Sequence, residues 1–178
     1  LVVSGHSKGA LTAIRQIAEM KVDVKMLAMT HCDASKLAKQ HGKKSEYALC
    51  AAQWHKSLSY EDKFFGKASK FDKDFNAEFG YAPPYQAAES AAALLVWKAA
   101  FEKANSFDTE KVRNALAKTD MQTFYGNIKF SDTGQNVAKP MVLFQVRCTG
   151  DTCENKVVAP TKWASAKLVH PIPSWSKR

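Results

Sequence analysis

Residues 1–52 alternate short apolar runs with stretches of helical period, and no other feature constrains the fold as strongly. Leu1–Ser4 reads as a strand that runs straight into Gly5-His6-Ser7-Lys8-Gly9. Ala10, Leu11, Ile14, Ile17 and Ala18 then recur at the spacing of one helix face, up to Met20. Met26–Met29 is a second apolar run, and Asp33 is placed to cap a short helix ending at Gly42. Tyr47–Ala52 is a third strand-like run. The order β-α-β-α-β predicts an α/β protein with a parallel sheet, right-handed crossovers and helices on the sheet faces.

The pattern changes after Trp54. Phe64, Ala68, Phe71, Phe75 and Phe79 form an i, i+3 or i+4 stripe, the mark of a core-facing amphipathic helix, and Gly80 ends it. Pro83-Pro84 imposes an extended connection. An Ala-rich helix is expected over Glu89–Asn105 and another over Thr109–Lys118, capped by Ser106 or Asp108. Asn127–Phe130 reads as a short strand, and Met141–Arg147 with Lys156–Ala159 as a hairpin. The tail, Thr161–Arg178, has weak periodicity and suits an extended strap.

Composition narrows the function classes. Lys and Arg number 26 against 17 Asp and Glu, a net charge of +9. The cations are scattered among acids rather than gathered in a block, and no zinc-finger or RNA-binding motif occurs, so no nucleic-acid partner is expected. No apolar run approaches the roughly 20 residues of a membrane span. Cys148 and Cys153 flank the turn-rich Thr149-Gly150-Asp151-Thr152. Opposed hairpin positions fall within disulfide reach, which favours a bridge over two free thiols and implies an oxidising compartment. Cys32 and Cys50 read as small core residues. No Cys/His cluster points to a metal, and no cofactor is implied.

Gly5-His6-Ser7-Lys8-Gly9 also fits G-x-S-x-G, the nucleophile elbow of serine hydrolases. The acid could then be Asp108, Asp120, Asp132 or Asp151 and the base His170. Four candidate acids single out none. A hydrolase sheet also goes on adding parallel strands after its elbow, whereas this chain turns to helices and a hairpin. A non-catalytic β-to-α turn forming the wall of a ligand cleft is the stronger reading.

The ordered features from Tyr60 to Pro160 resemble one family. Phe71, Phe75, Phe79-Gly80 and Pro83, then Ala87-Ala88-Glu89-Ser90-Ala91 through Ala104, then Asp108–Leu116, are similar to its successive helices. Phe124-Tyr125-Gly126-Asn127-Ile128-Lys129-Phe130-Ser131-Asp132-Thr133-Gly134-Gln135-Asn136 is similar to its "f.G.i.F...G.n" signature. Val142–Val146 and Val157-Val158-Ala159-Pro160 match its terminal strands. The family is that of the solute-binding proteins of ABC importers for branched-chain amino acids (Leu/Ile/Val-binding-like), of the type I periplasmic binding fold.

The resemblance implies two lobes with multiple crossovers, of which this chain would be the C-terminal half. Residues 1–53 would belong to lobe two, 54–140 to lobe one, and 141–178 to lobe two again. It implies a periplasmic, non-catalytic, monomeric protein that closes on a small amino acid, amide or aromatic or other carboxylic acid between its lobes and then docks on a membrane permease. Ligand contacts would fall on His6 and Ser7 at the first turn, on Thr30 and His31 after the second strand, on Trp54 at the crossing, and on Tyr85 and Gln86 at the mouth of the Ala-rich helix. Three of these have a plainer reading: an exposed loop histidine for His6, a core indole for Trp54, packing beside Pro83-Pro84 for Tyr85. Where amino-acid binders of the family often carry an acid for the ligand's ammonium group, this sequence has Thr30-His31-Cys32. That substitution suits a carboxylate or other anion better than a plain α-amino acid.

Overall fold

The computed structural model describes residues 1–32 and 40–178, and the short helix expected from Asp33 lies outside the described residues. The chain forms two compact units. Unit 1 comprises Leu1–Ala52 and Val142–Arg178, and unit 2 comprises Gln53–Met141.

Unit 1 is built on a five-stranded mixed sheet. β1 (Val2–Val3), β2 (Ala28–Met29) and β3 (Leu49–Ala52) are parallel neighbours. They are followed in space by β8 (Val142–Thr149) and β9 (Thr152–Ala159), each antiparallel to the strand before it. Between β1 and β2 the chain forms helix α1 (Ser7–Glu19), which buries Ala10, Ile14 and Ile17. That i, i+4, i+7 spacing places all three on one face, against the sheet. β8 buries Val142, Phe144 and Val146.

One fully buried polar residue fastens the tail. The Gln145 amide donates to the carbonyls of Tyr47 (3.2 Å) and Val169 (3.1 Å), and its oxygen accepts from the Val169 N–H (3.0 Å). A buried amide demands such partners, so it holds the strap in one register on β8. Farther on, Ile172 N donates to Lys25 O and the Trp175 indole N–H to Val22 O, tying the strap to the segment that leads into β2.

Cys148 and Cys153 are paired across the β8–β9 turn and joined by a disulfide. Cys32 and Cys50 are buried as expected of core residues, but they too are bonded to one another. Their spacing in sequence gave no hint, because residues 32 and 50 meet only through the parallel pairing of β2 with β3, in which Met29 lies opposite Cys50.

Unit 2 is mainly helical. β4 (Glu61–Asp62) and β5 (Gly66–Lys67) form a small hairpin, followed by α2 (Ala68–Phe79). Then come α3 (Tyr85–Ala104), α4 (Thr109–Ala117), and a second hairpin of β6 (Asp120–Thr123) and β7 (Gly126–Lys129). Gly80 closes α2 with φ +74°, and Asp108 caps α4 by accepting from Lys111 N (3.0 Å). Three expectations are corrected. Phe64 lies in the β4–β5 turn, 66% exposed, rather than on α2, and Phe79 is 57% exposed, so only the start of the stripe faces the core. α3 begins at Tyr85, because Pro84 serves as its N-cap. β6 pairs with the foreseen strand, its polar Asp120 and Gln122 having masked it in the sequence.

Candidate functional site

The opening turn is assembled by strand register. Val3 lies opposite Met29, and Thr30 N donates to Val3 O (3.1 Å), so the segment leaving β2 runs beside Gly5. The Thr30 hydroxyl accepts from Gly5 N (2.8 Å) and donates to Gly5 O (2.9 Å). Both polar groups of one residue are thus fixed by one side chain. His31 adds a third bond, from Nδ1 to Gly5 O at 2.9 Å. A carbonyl only accepts, so Nδ1 carries the proton and the neutral ring keeps its lone pair on Nε2. His31 is held in the left-handed region at φ +51°, and its ring centroid lies 5.1 Å from that of His6. His6, Ser7, Thr30 and His31 therefore come together at the carboxyl ends of β1 and β2.

The electrostatics of this wall favour an anion. α1 starts here with His6 as N-cap and no acidic residue in its first turn. Its first N–H groups lack intrahelical acceptors and carry the positive end of the helix dipole. Lys8 stands on the same turn.

The turn is not an elbow. Ser7 is the first helical residue, and His6, not Ser7, is the N-cap, without a side-chain bond. Neither Gly5 nor Gly9 is needed for space, since a Cβ at either would meet nothing within 4 Å, and neither has positive φ. Among the described residues no hydrogen bond ties the Ser7 hydroxyl to a histidine or a carboxylate. His170 follows Val169, which is bonded to Gln145 beside the amino end of β3, and Asp151 sits in the β8–β9 turn beyond that same end. Ser7 follows the carboxyl end of β1. The base and one candidate acid thus lie at the opposite end of the sheet from the serine.

In unit 2 the expected residues fare differently. Trp54 is 5% exposed; its indole N–H donates to Phe124 O (3.3 Å), and its ring meets Phe71 and Phe124 edge-on. Its polar atom is already partnered within an aromatic core, the surroundings that the plainer of its two readings expects. Tyr85 and Gln86 open α3, half-buried and exposed respectively.

Sequence reasoning missed Lys139. It borders a groove of about 500 Å³ with Gln53, Glu89, Val96, Trp97 and Tyr125. Its ammonium donates to Gln53 O and lies 4.2 Å from the centre of the Tyr125 ring. Burial pulls its pKa down to about 8, and Glu89 partly offsets this. Burial, Glu89 and Tyr85 all push the Tyr125 phenol upward. The stem of Lys139 fills the space beside Gly126, where φ is +146° and a Cβ would collide with Lys139 Cδ. Gly126 stands in the signature quoted above; the lysine has no sequence signal of its own.

The family model described as "Periplasmic binding protein" matches residues 1–152. Among solved structures, the leucine binding protein LivK of Thermotoga maritima is similar at 21% identity and a TM-score of 0.73, over 90% of this chain and 45% of that one. The substrate binding protein LivJ of Streptococcus pneumoniae, in complex with isoleucine, matches at 17% identity and a TM-score of 0.68, over 89% and 44%. A solute binding protein of R. palustris in complex with benzoate matches at 17% identity and 0.62, over 94% and 46%. These likenesses show the type I periplasmic binding fold, and the chain spans a little under half the length of the structures it matches.

Proposed function

The chain belongs to the periplasmic binding protein family, and from that premise we propose that it serves as the extracytoplasmic ligand-binding component of an ABC-type importer. It takes up a small carboxylate, an aromatic or branched aliphatic acid or an amino acid, and makes or breaks no bond in it. In this reading unit 1 is the lobe-two portion of the fold and unit 2 the lobe-one portion, and a membrane permease is the partner.

One observation carries the proposal: Thr30 and His31 converge on Gly5, beside His6 and the first turn of α1, at the carboxyl ends of β1 and β2. Ligands of open α/β sheets are met at strand carboxyl ends, and the start of a helix favours a negative group. The ligands named for the similar structures, leucine, isoleucine and benzoate, share a carboxylate. Benzoate has no ammonium group, and the described part of this wall presents no acid to receive one. The two disulfides support an oxidising, periplasmic setting.

The test is calorimetric titration of the full chain with benzoate, leucine and isoleucine. Saturable binding is expected, strongest for benzoate. The absence of heat across these and a wider set of carboxylates would remove the proposal.

A further inference from the structure

We propose that His6 and His31 form a two-histidine site for a divalent transition-metal ion that prefers imidazole, with open coordination positions that accept a carboxylate. The metal pair stands on its own geometry; only the carboxylate in the open positions rests on the function proposed above.

The first support is the state of His31. Its Nδ1 donates to Gly5 O, which leaves the lone pair of Nε2 directed away from the main chain. Metal-binding histidines are oriented in this manner, one nitrogen held by a carbonyl or carboxylate and the other free for the ion. The second is distance. An ion roughly 2.0–2.1 Å from one nitrogen of each ring, at a tetrahedral angle, puts the two imidazole centroids about 5 Å apart. The rings of His6 and His31 are 5.1 Å apart, tilted by 56°.

The third support is rigidity on one side and freedom on the other. His31 keeps a left-handed backbone, φ +51°, between the Thr30–Gly5 bonds and Cys32, which is covalently tied to Cys50 of β3. Such a conformation is disfavoured in a residue other than glycine and persists where its surroundings over-determine it. His6 is exposed, and among the described residues no hydrogen bond holds its ring, so it can turn its lone pair toward the ion.

Two protein ligands leave about half of a four-coordinate shell open, which is the pattern of a site that takes up an exogenous group rather than of a structural metal. Among the described residues no cluster of three or more His, Cys, Asp or Glu completes the shell. The N-terminus of α1 and Lys8 oppose a bare cation but attract a carboxylate, and the bond between carboxylate and ion offsets part of that repulsion. Ion and carboxylate therefore bind with positive coupling, which is reciprocal. Affinity follows the order of divalent ions on nitrogen ligands, copper above nickel and zinc.

The test uses the full chain, freed of trace metals, titrated calorimetrically with Ni²⁺ with and without benzoate. A single saturable site is expected, tightened by benzoate. His6→Ala and His31→Asn, the latter tolerant of positive φ, each weaken it at least ~10-fold, the lower end of what loss of even an outer-shell partner does. His170→Ala changes nothing. Melting curves of the variants confirm that both still fold. Nickel affinity unchanged in both variants, or no saturable nickel binding by the wild type, overturns the metal pair. Benzoate that binds equally with nickel or a chelator present, alongside either result, overturns the metal pair and leaves the proposed function standing. Nickel binding that depends on both histidines, with no binding of benzoate, leucine, isoleucine or the wider set of carboxylates, upholds the pair and overturns its carboxylate and the function instead.

Discussion

The two units use their rings in opposite ways. In unit 2, Phe65, Phe71, Phe124 and Trp54 close on one another, with Phe124 wholly buried and stacked 4.2 Å from Phe71. In unit 1, His6 and His31 stand exposed at the strand ends, and the segment carrying His31 is ordered by three polar contacts to Gly5 rather than by packing. Aromatic side chains drawn into a core contribute apolar burial and edge-to-face contact, and their polar atoms must find partners there. Imidazoles placed by main-chain register keep a face and a lone pair available. Ring content alone therefore does not mark a site; what orders the ring does.

That contrast can be broken first at Phe124. Phe124→Ala is expected to destabilise unit 2 by ~3–5 kcal/mol, the range for removing a buried phenylalanine. His6→Ala should stay within about 0.5 kcal/mol, as exposed substitutions do. Urea unfolding followed by amide signals from each unit separates the two outcomes. Equal losses would mean that the histidine wall is part of the packing.

The disulfides sharpen the comparison within unit 1. Cys32–Cys50 spans a separation of 18 residues and Cys148–Cys153 one of 5. The chain-entropy model gives about 3 kcal/mol for the longer loop and about 2 kcal/mol for the shorter. Replacing Cys32 and Cys50 by serine should lower the melting temperature more than replacing Cys148 and Cys153, and should also disorder the His31 ring. The reverse ranking would show that the hairpin bridge restrains more than its own turn.

Next comes the glycine beside Lys139. Gly126→Ala meets both a disfavoured φ and the lysine stem, and should cost ~1–3 kcal/mol. In a Lys139→Ala background only the backbone part should remain, so a double-mutant cycle should show coupling. Additive effects would remove the claim that the stem fills the glycine's space.

The last effect is in pH. Lys139, facing Glu89 and Tyr125, loses its proton near 8 when folded but keeps it to about 10.5 when unfolded. Between pH 8 and 10 the unfolded chain binds more protons, so the stability of unit 2 rises with pH over that window. Lys139→Met should flatten this slope relative to wild type in chemical denaturation at stepped pH. An unchanged slope would place the lysine in water.

Much of this was legible in the sequence where one local period dominated. The apolar runs of residues 1–52 set the parallel strands, and Gly80 and Asp108 set helix ends, because those signals act over a few neighbouring residues. The Cys32–Cys50 bond, the meeting of Thr30 with Gly5 and the lodging of Lys139 beside Gly126 all depend on register between distant segments, which no local pattern encodes. Trp54 shows the same limit in reverse. An indole at a crossing reads equally well as wall or core, and its partner, Phe124, lies seventy residues on.

In the proposed function a small carboxylate is held at the His6–Thr30–His31 wall. Its most direct test is a backbone-amide NMR titration of the full chain with benzoate. Saturable shifts centred on Gly5 to Gly9 and Thr30 to Cys32 are expected, with the amides around Trp54 and Phe124 little moved. Shifts centred on Trp54 and Phe124 with residues 5–9 and 30–32 unmoved, or no saturable shift at all, would contradict it.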